Sequence, residues 1–235
     1  MGLKNFAAAF GRRVANRIAR FQWQRRSDRF ESLIERYSVE TPDFFVLQVG
    51  ACEGVLGDPI HKWIKKYRWH GILVEPQKSE FEQLTVTYRD CRDLRLENVA
   101  IADTDGTRAL YRVRDDRRNA EWQRGVASFV RRARFVPEDM FEVEMVRCVT
   151  FDALLNRHRV ARIDLLQIDA EGYDYELLKL FDFARLRPRL IRYEHVHLPP
   201  PDRRACAIYL RRLGYDTLEM RFDTGAVLRQ TDTAR

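Results

Sequence analysis

The run Phe45-Val46-Leu47-Gln48-Val49-Gly50-Ala51-Cys52-Glu53-Gly54 constrains this chain more than any other stretch. Apolar residues lead into two glycines, and helical periodicity follows from Ile60 to Tyr67. The segment therefore reads as a buried strand, a tight turn and a helix. Glycine suits such a turn because the backbone bends sharply and a ligand can approach where no Cβ stands. A second apolar run, Gly71-Ile72-Leu73-Val74, delivers Glu75 at a strand end, 75 − 54 = 21 residues after the second glycine. A carboxylate about 20 residues past such a turn is placed to accept both hydroxyls of a ribose. The spacing predicts a nucleoside cofactor.

It also excludes some. A dinucleotide fingerprint needs G-x-G-x-x-G, and here Cys52 takes the second glycine's place. No G-x-x-x-x-G-K-[ST] loop for a nucleoside triphosphate occurs. An adenosyl cofactor without phosphate, such as S-adenosylmethionine, fits the glycine turn and the acid. The plainer alternative is a βα turn that binds nothing.

A length of 235 residues suits one α/β domain with an added segment. Helical spacing of Phe6, Phe10, Val14, Ile18 and Phe21, with arginines between, predicts a helix over 3–38. Pro42 and Asp43 mark its boundary, dividing a basic N-terminal segment (1–40) from the main domain (41–235). That helix either packs on the domain or on a second subunit, giving a homodimer, or lies on anionic lipid through residues 3–24. A net charge of +7 suits an acidic partner. The four cysteines form no C-x-x-C pair and read as reduced thiols, and no signal peptide or membrane span is evident. The expected compartment is cytoplasmic.

Strands are expected at about 94–101, 109–113, 147–150, 163–168, 190–196, 215–220 and 226–228, with helices at 78–90, 151–159, 174–183 and 202–212. Alternation of this kind predicts a mainly parallel sheet with helices on both faces. The irregular stretch 114–145 reads as a lid or substrate loop. Ligands bind such sheets at the carboxyl ends of strands. The rule converges on Gly50–Gly54, Glu75, Asn98-Val99-Ala100, Asp169-Ala170-Glu171-Gly172 and Glu194-His195. Asp169 could take a proton, hold a hydroxyl or ligate a divalent ion, or else simply cap the following helix. His195 and His197 share a face of a strand by the two-residue period, and His195 is the candidate base while His197 suits a structural role. One neighbouring acid, Glu194, leaves a zinc site short of ligands. Ser128 is a small loop residue within reach of cofactor or substrate.

Taken in order, these motifs resemble the FkbM family of S-adenosylmethionine-dependent methyltransferases over roughly residues 44–220. The matching residues are Val49 to Gly54, Glu75-Pro76, Asn98 to Ile101 with Asp103 and Gly106, Val149 to Asp152, Ile163 to Gly172, and Glu194-His195. The resemblance implies a class I methyltransferase (Rossmann-like) fold: seven mainly parallel strands, the last antiparallel, with helices on both faces. It carries cofactor contacts onto Gly50, Ala51, Cys52, Glu53, Gly54, Glu75 and Pro76, and adenine contacts onto Asn98, Val99 and Ala100. Asp169 would lie near the methyl group. The family usually has Asp at position 48 and Asn at 52, where this chain has Gln48 and Cys52.

The implied reaction is O-methylation of a sugar, lipid-linked or secondary-metabolite hydroxyl, with Asp169 or His195 as base. The Arg clusters motivate a nucleic-acid methyltransferase as a rival. Asp169-Ala170-Glu171-Gly172, standing where amine-methylating enzymes carry an Asn/Asp-Pro-Pro-aromatic block, speaks against it. A cofactor-binding protein without catalysis is the third reading. Nothing in the sequence decides metal dependence.

Overall fold

A computed structural model of the protein describes residues 3–114, 125–130 and 136–229, with side chains from Ile18 onward. Near-continuous apolar runs build the centre of a seven-stranded sheet: β1 (Phe45–Val49), β2 (His70–Val74), β8 (Leu165–Ile168) and β9 (Leu190–Glu194). With β3 (Leu94–Glu97), β10 (Tyr215–Glu219) and β11 (Asp223–Leu228), the order is β10-β11-β9-β8-β1-β2-β3. The strands from β3 to β9 run parallel, while β11 is antiparallel to both neighbours. This is the expected sheet, its last strand antiparallel.

Strand alternation sorts side chains to two cores. Leu47, Val49, Ile72, Leu166 and Ile191 pack with α4 (Phe151–Arg157), α5 (Asp174–Leu180) and α6 (Pro200–Arg212). Val46, Leu73, Leu165 and Leu190 pack with α1 (Leu3–Glu40), α2 (His61–Tyr67) and α3 (Lys78–Thr87). Local signals set the helix starts: Thr150 Oγ1 accepts the Ala153 N–H of α4, and two prolines open α6.

The stretch read as one strand over 94–101 is two. β3 ends at Glu97, and β4 (Ala100–Ile101) joins a second sheet of order β4-β7-β5-β6. There β5 (Gly106–Val113) pairs antiparallel with β7 (Phe141–Val149) and with β6 (Ala127–Ser128). Of the expected lid over 114–145, residues 115–124 and 131–135 lie outside the described residues, and much of the remainder is strand. The apolar stripe at Phe6, Phe10 and Val14 likewise lies outside the described side chains. All four cysteines are free, and among the described residues no helix is long and apolar enough to cross a membrane.

Among the described side chains, α1 is anchored toward its C-terminal end. Phe30 and Ile34 are wholly buried, and the Phe30 ring seats on Gly225, where an added Cβ would come within 2.5 Å of it. Glu31 accepts from Trp63 Nε1 at 2.9 Å and from Arg192 at 3.0 Å. Ile18 and Phe21 are exposed. Phe30→Ala should therefore cost about 3–5 kcal/mol in urea unfolding, while Phe21→Ala should change stability by less than about 0.5 kcal/mol. Equal effects would show that the helix is not docked through its C-terminal end.

Candidate functional site

The carboxyl ends of β1, β2 and β8 meet under tight constraint. Gly50 and Ala51 both donate backbone N–H to the Val74 carbonyl, at 2.9 and 3.1 Å, and Asp169 N–H donates to the Val49 carbonyl at 2.9 Å. Gly50 has φ +81°, and a Cβ there would lie 1.8 Å from the Asp169 carbonyl oxygen. Only glycine lets the three strand ends close up. Beyond them opens a cavity of about 660 Å³.

Gly50, Ala51, Cys52, Glu53, Glu75 and Pro76 line one wall of it. Glu75, 3% exposed, accepts from Cys52 N–H and from Gln77 N–H, both at 2.8 Å, so its carboxylate pins the turn that it faces. Burial drives its pKa up to about 7, against the two backbone donors that favour the charged form. Val99 and Ala100 line the cavity too, whereas Asn98 does not: its amide donates to the Glu75 and Pro76 carbonyls and holds the strand end in place. Gly54 also lies off the cavity and makes room for Leu84 of α3 and for Tyr88 just beyond it. The small sheet supplies another wall, including Leu110, Ala127 and Ser128. Ser128 Oγ donates to the Ala170 carbonyl at 2.9 Å, tying this sheet to the loop after β8.

Beside the glycine turn, at the ends of β8 and β9, stand the carboxylates. Asp169 keeps part of its surface open to the cavity yet is walled by protein; burial, then Glu194, Glu171 and Asp174, push its pKa well up. Glu194 rises to about 7 by burial, partly relieved by His197. Burial alone would depress His197, but its hydrogen bonds to Glu171 and Glu194 carry it up to about 10. His195 does not line the cavity. It is 1% exposed, its Nδ1 sits 2.8 Å from Thr224 Oγ1, and burial lowers its pKa to about 4. The structure thus brings His197, not His195, to the site.

The expectation of a single acid beside the histidines is also revised, because Glu171 arrives from the neighbouring loop at 2.7 Å from His197 Nδ1. Gln167 and Arg192, in register with Gln48 across β1, β8 and β9, were not foreseen as lining residues. A polar residue in each of three buried strands was the available signal.

The model of the methyltransferase FkbM domain matches residues 48–217, most of the chain. The chain belongs to the FkbM methyltransferase family. The matched domain is a methyltransferase domain. No curated protein matches it. Among solved structures, the FkbM methyltransferase from Methylobacillus flagellatus KT is similar at 12% identity and TM-score 0.48, over 79% of this chain and 43% of that one. The precorrin-6y C5,15-methyltransferase from Geobacter metallireducens GS-15 shows 11% identity and TM-score 0.43, over 80% and 81%. The N-terminal domain of human METTL16 shows 11% identity and TM-score 0.48, over 86% and 67%. The chain thus spans less than half the length of the first of these.

The glycine at position 50 offers a clean test of the FkbM turn. Gly57 also has positive φ (+72°), but a Cβ there meets nothing within 4 Å. Gly57→Ala should cost about 1–2 kcal/mol of backbone strain, and Gly50→Ala more than about 3 kcal/mol, with loss of S-adenosylhomocysteine binding. Denaturant unfolding and calorimetric titration read both. Similar costs at the two positions would remove the close approach to Asp169 from the account.

Proposed function

We propose that this FkbM methyltransferase methylates a hydroxyl oxygen of a sugar, lipid-linked or secondary-metabolite acceptor. The observation that carries the reading is Asp169, a carboxylate lining the cavity beside the Gly50 turn. When bound, S-adenosylmethionine supplies a methyl group on a sulfonium sulfur, open to in-line attack.

The residues fit that cofactor. Gly50, Ala51 and Cys52 line the cavity beside Glu75, which presents a buried carboxylate with acceptor capacity left for ribose hydroxyls. Val99 and Ala100 provide an apolar edge for the adenine. The carboxylates beside the glycine turn favour a cationic centre between the walls. The chain's task is then to align the acceptor and exclude water. Asp169 would take the hydroxyl proton as the acceptor oxygen receives the methyl group that the bound cofactor would supply.

Two outcomes are expected. Asp169→Asn should lower methyl transfer to a panel of hydroxyl acceptors by about 100-fold or more while S-adenosylhomocysteine still binds. Transfer to nitrogen acceptors alone would overturn the hydroxyl reading. The second concerns pH. Ribose hydroxyls prefer the ionised Glu75, whose pKa in the free protein is raised to about 7. Below that pH the carboxyl must lose a proton on binding, so S-adenosylhomocysteine affinity should climb as pH rises towards about 7 and level off above it. In Glu75→Gln this rise should vanish, and affinity should fall by about 1–3 kcal/mol. An unchanged pH profile in the variant would show that Glu75 does not hold the ribose.

A further inference from the structure

We propose that Glu171, Glu194 and His197 form a binding site for one divalent metal ion, of the class that Mn²⁺ represents, on the acceptor side of the cavity.

Three elements deliver these side chains to one point. Glu171 comes from the loop after β8, where left-handed backbone (φ +52°) turns it back toward β9. Glu194 ends β9, and His197 lies on the turn beyond it. Their ligating atoms all lie within 4.8 Å of one another: His197 Nδ1 is 2.7 Å from Glu171 Oε2 and 2.8 Å from Glu194 Oε2. Ligand atoms at right angles around an ion, each about 2.1 Å from it, stand about 3 Å apart. Slight spreading of the present cluster reaches that spacing.

The donor set selects the ion. Two carboxylates with one imidazole suit a borderline or hard divalent ion rather than a soft one, which would call for thiolates. Asp174 supports the arrangement from below. It is wholly buried, and accepts the backbone N–H groups of Gly172 and Glu194, both at 3.2 Å, fixing the two ligand-bearing segments relative to each other. Together, Asp169, Glu171, Asp174 and Glu194 gather four carboxylates against one imidazole. Arg192, which also lines the cavity, is already held by Glu31 and Asp223.

A second observation points to a ligand. Two residues before Asp169 on β8, the Gln167 side chain is 2% exposed, lines the same cavity, and its Oε1 has no hydrogen-bond partner. An ion's water shell would satisfy that acceptor. The proposal goes beyond the hydroxyl reading and does not depend on it, since the three ligands stand whatever the acceptor is.

The test is a titration of the full, chelator-treated chain with Mn²⁺, followed by the loss of the free-ion electron paramagnetic resonance signal. S-Adenosylhomocysteine is titrated into the same samples. One ion per chain is expected, with affinity reduced at least about tenfold in Glu194→Gln and in Glu171→Gln. Should Glu194→Gln fail to fold, Glu171→Gln carries the comparison. A parent that takes up no Mn²⁺ at millimolar concentration overturns the site. Undiminished binding in both variants does the same, because the ion is then held elsewhere. If Mn²⁺ fails while S-adenosylhomocysteine binds, only the metal site falls; the reverse result leaves the site and removes the cofactor assignment.

Discussion

The molecule depends on the contact between Gly50 and the Asp169 carbonyl. With no side chain at Gly50, the ends of β1 and β8 approach closely while both glycine-turn N–H groups reach Val74 on β2. Two consequences come from one constraint. The glycine turn is rigid, since its amides are spent on the sheet and on Glu75. Asp169, one residue past the last paired residue of β8, is thereby fixed in position beside it.

How much of this was legible follows from the range of the forces involved. β1, β2 and β8 are buried on both faces, so their apolar runs announce them, and the glycines and Glu75 sit at the ends that such strands must have. The second sheet was hidden. β7 alternates half-buried Glu142 and Glu144 with exposed Val143 and Met145, and its charges are balanced on β5 by Arg112, which binds both glutamates. Charge pairing between distant strands leaves no local mark. The histidines were misplaced for a related reason. A two-residue period puts His195 and His197 on one face only while the strand continues. It stops at Glu194: His195 N–H donates to Phe222, Leu198 N–H returns to the His195 carbonyl, and the turn sends the two rings apart.

Cys52 illustrates a legible departure with a physical meaning. It occupies left-handed backbone at φ +46°, where Asn, the residue expected from the family, is better tolerated. Its thiol is partly buried beside Glu53, Glu75 and Glu80, and burial followed by these acids pushes its pKa far up, so it is no nucleophile. Gln48 departs differently. Replacing a carboxylate, it removes one negative charge next to Asp58 and leaves an amide oxygen without a partner in the cavity wall.

The N-terminal helix belongs to this electrostatic arrangement as much as to the core. Arg192 stands in a central strand, 9% exposed, and would by itself neutralise the carboxylates two positions along β9 and β8. Glu31 of α1 and Asp223 of β11 hold its guanidinium on the helix side of the sheet instead. Removing the Glu31 partner would leave a buried charge underpaired, a change that is strongly destabilising in protein interiors. The helix therefore does two things at one residue: it stabilises the cation where it lies, and it keeps that cation from cancelling the negative field around Asp169. A carboxylate cluster of this kind opposes folding when its charges are uncompensated. It is compatible with a stable chain only if positive charge comes from a ligand, from His197, or from proton uptake, and the first of these couples the stability of the site to its occupation.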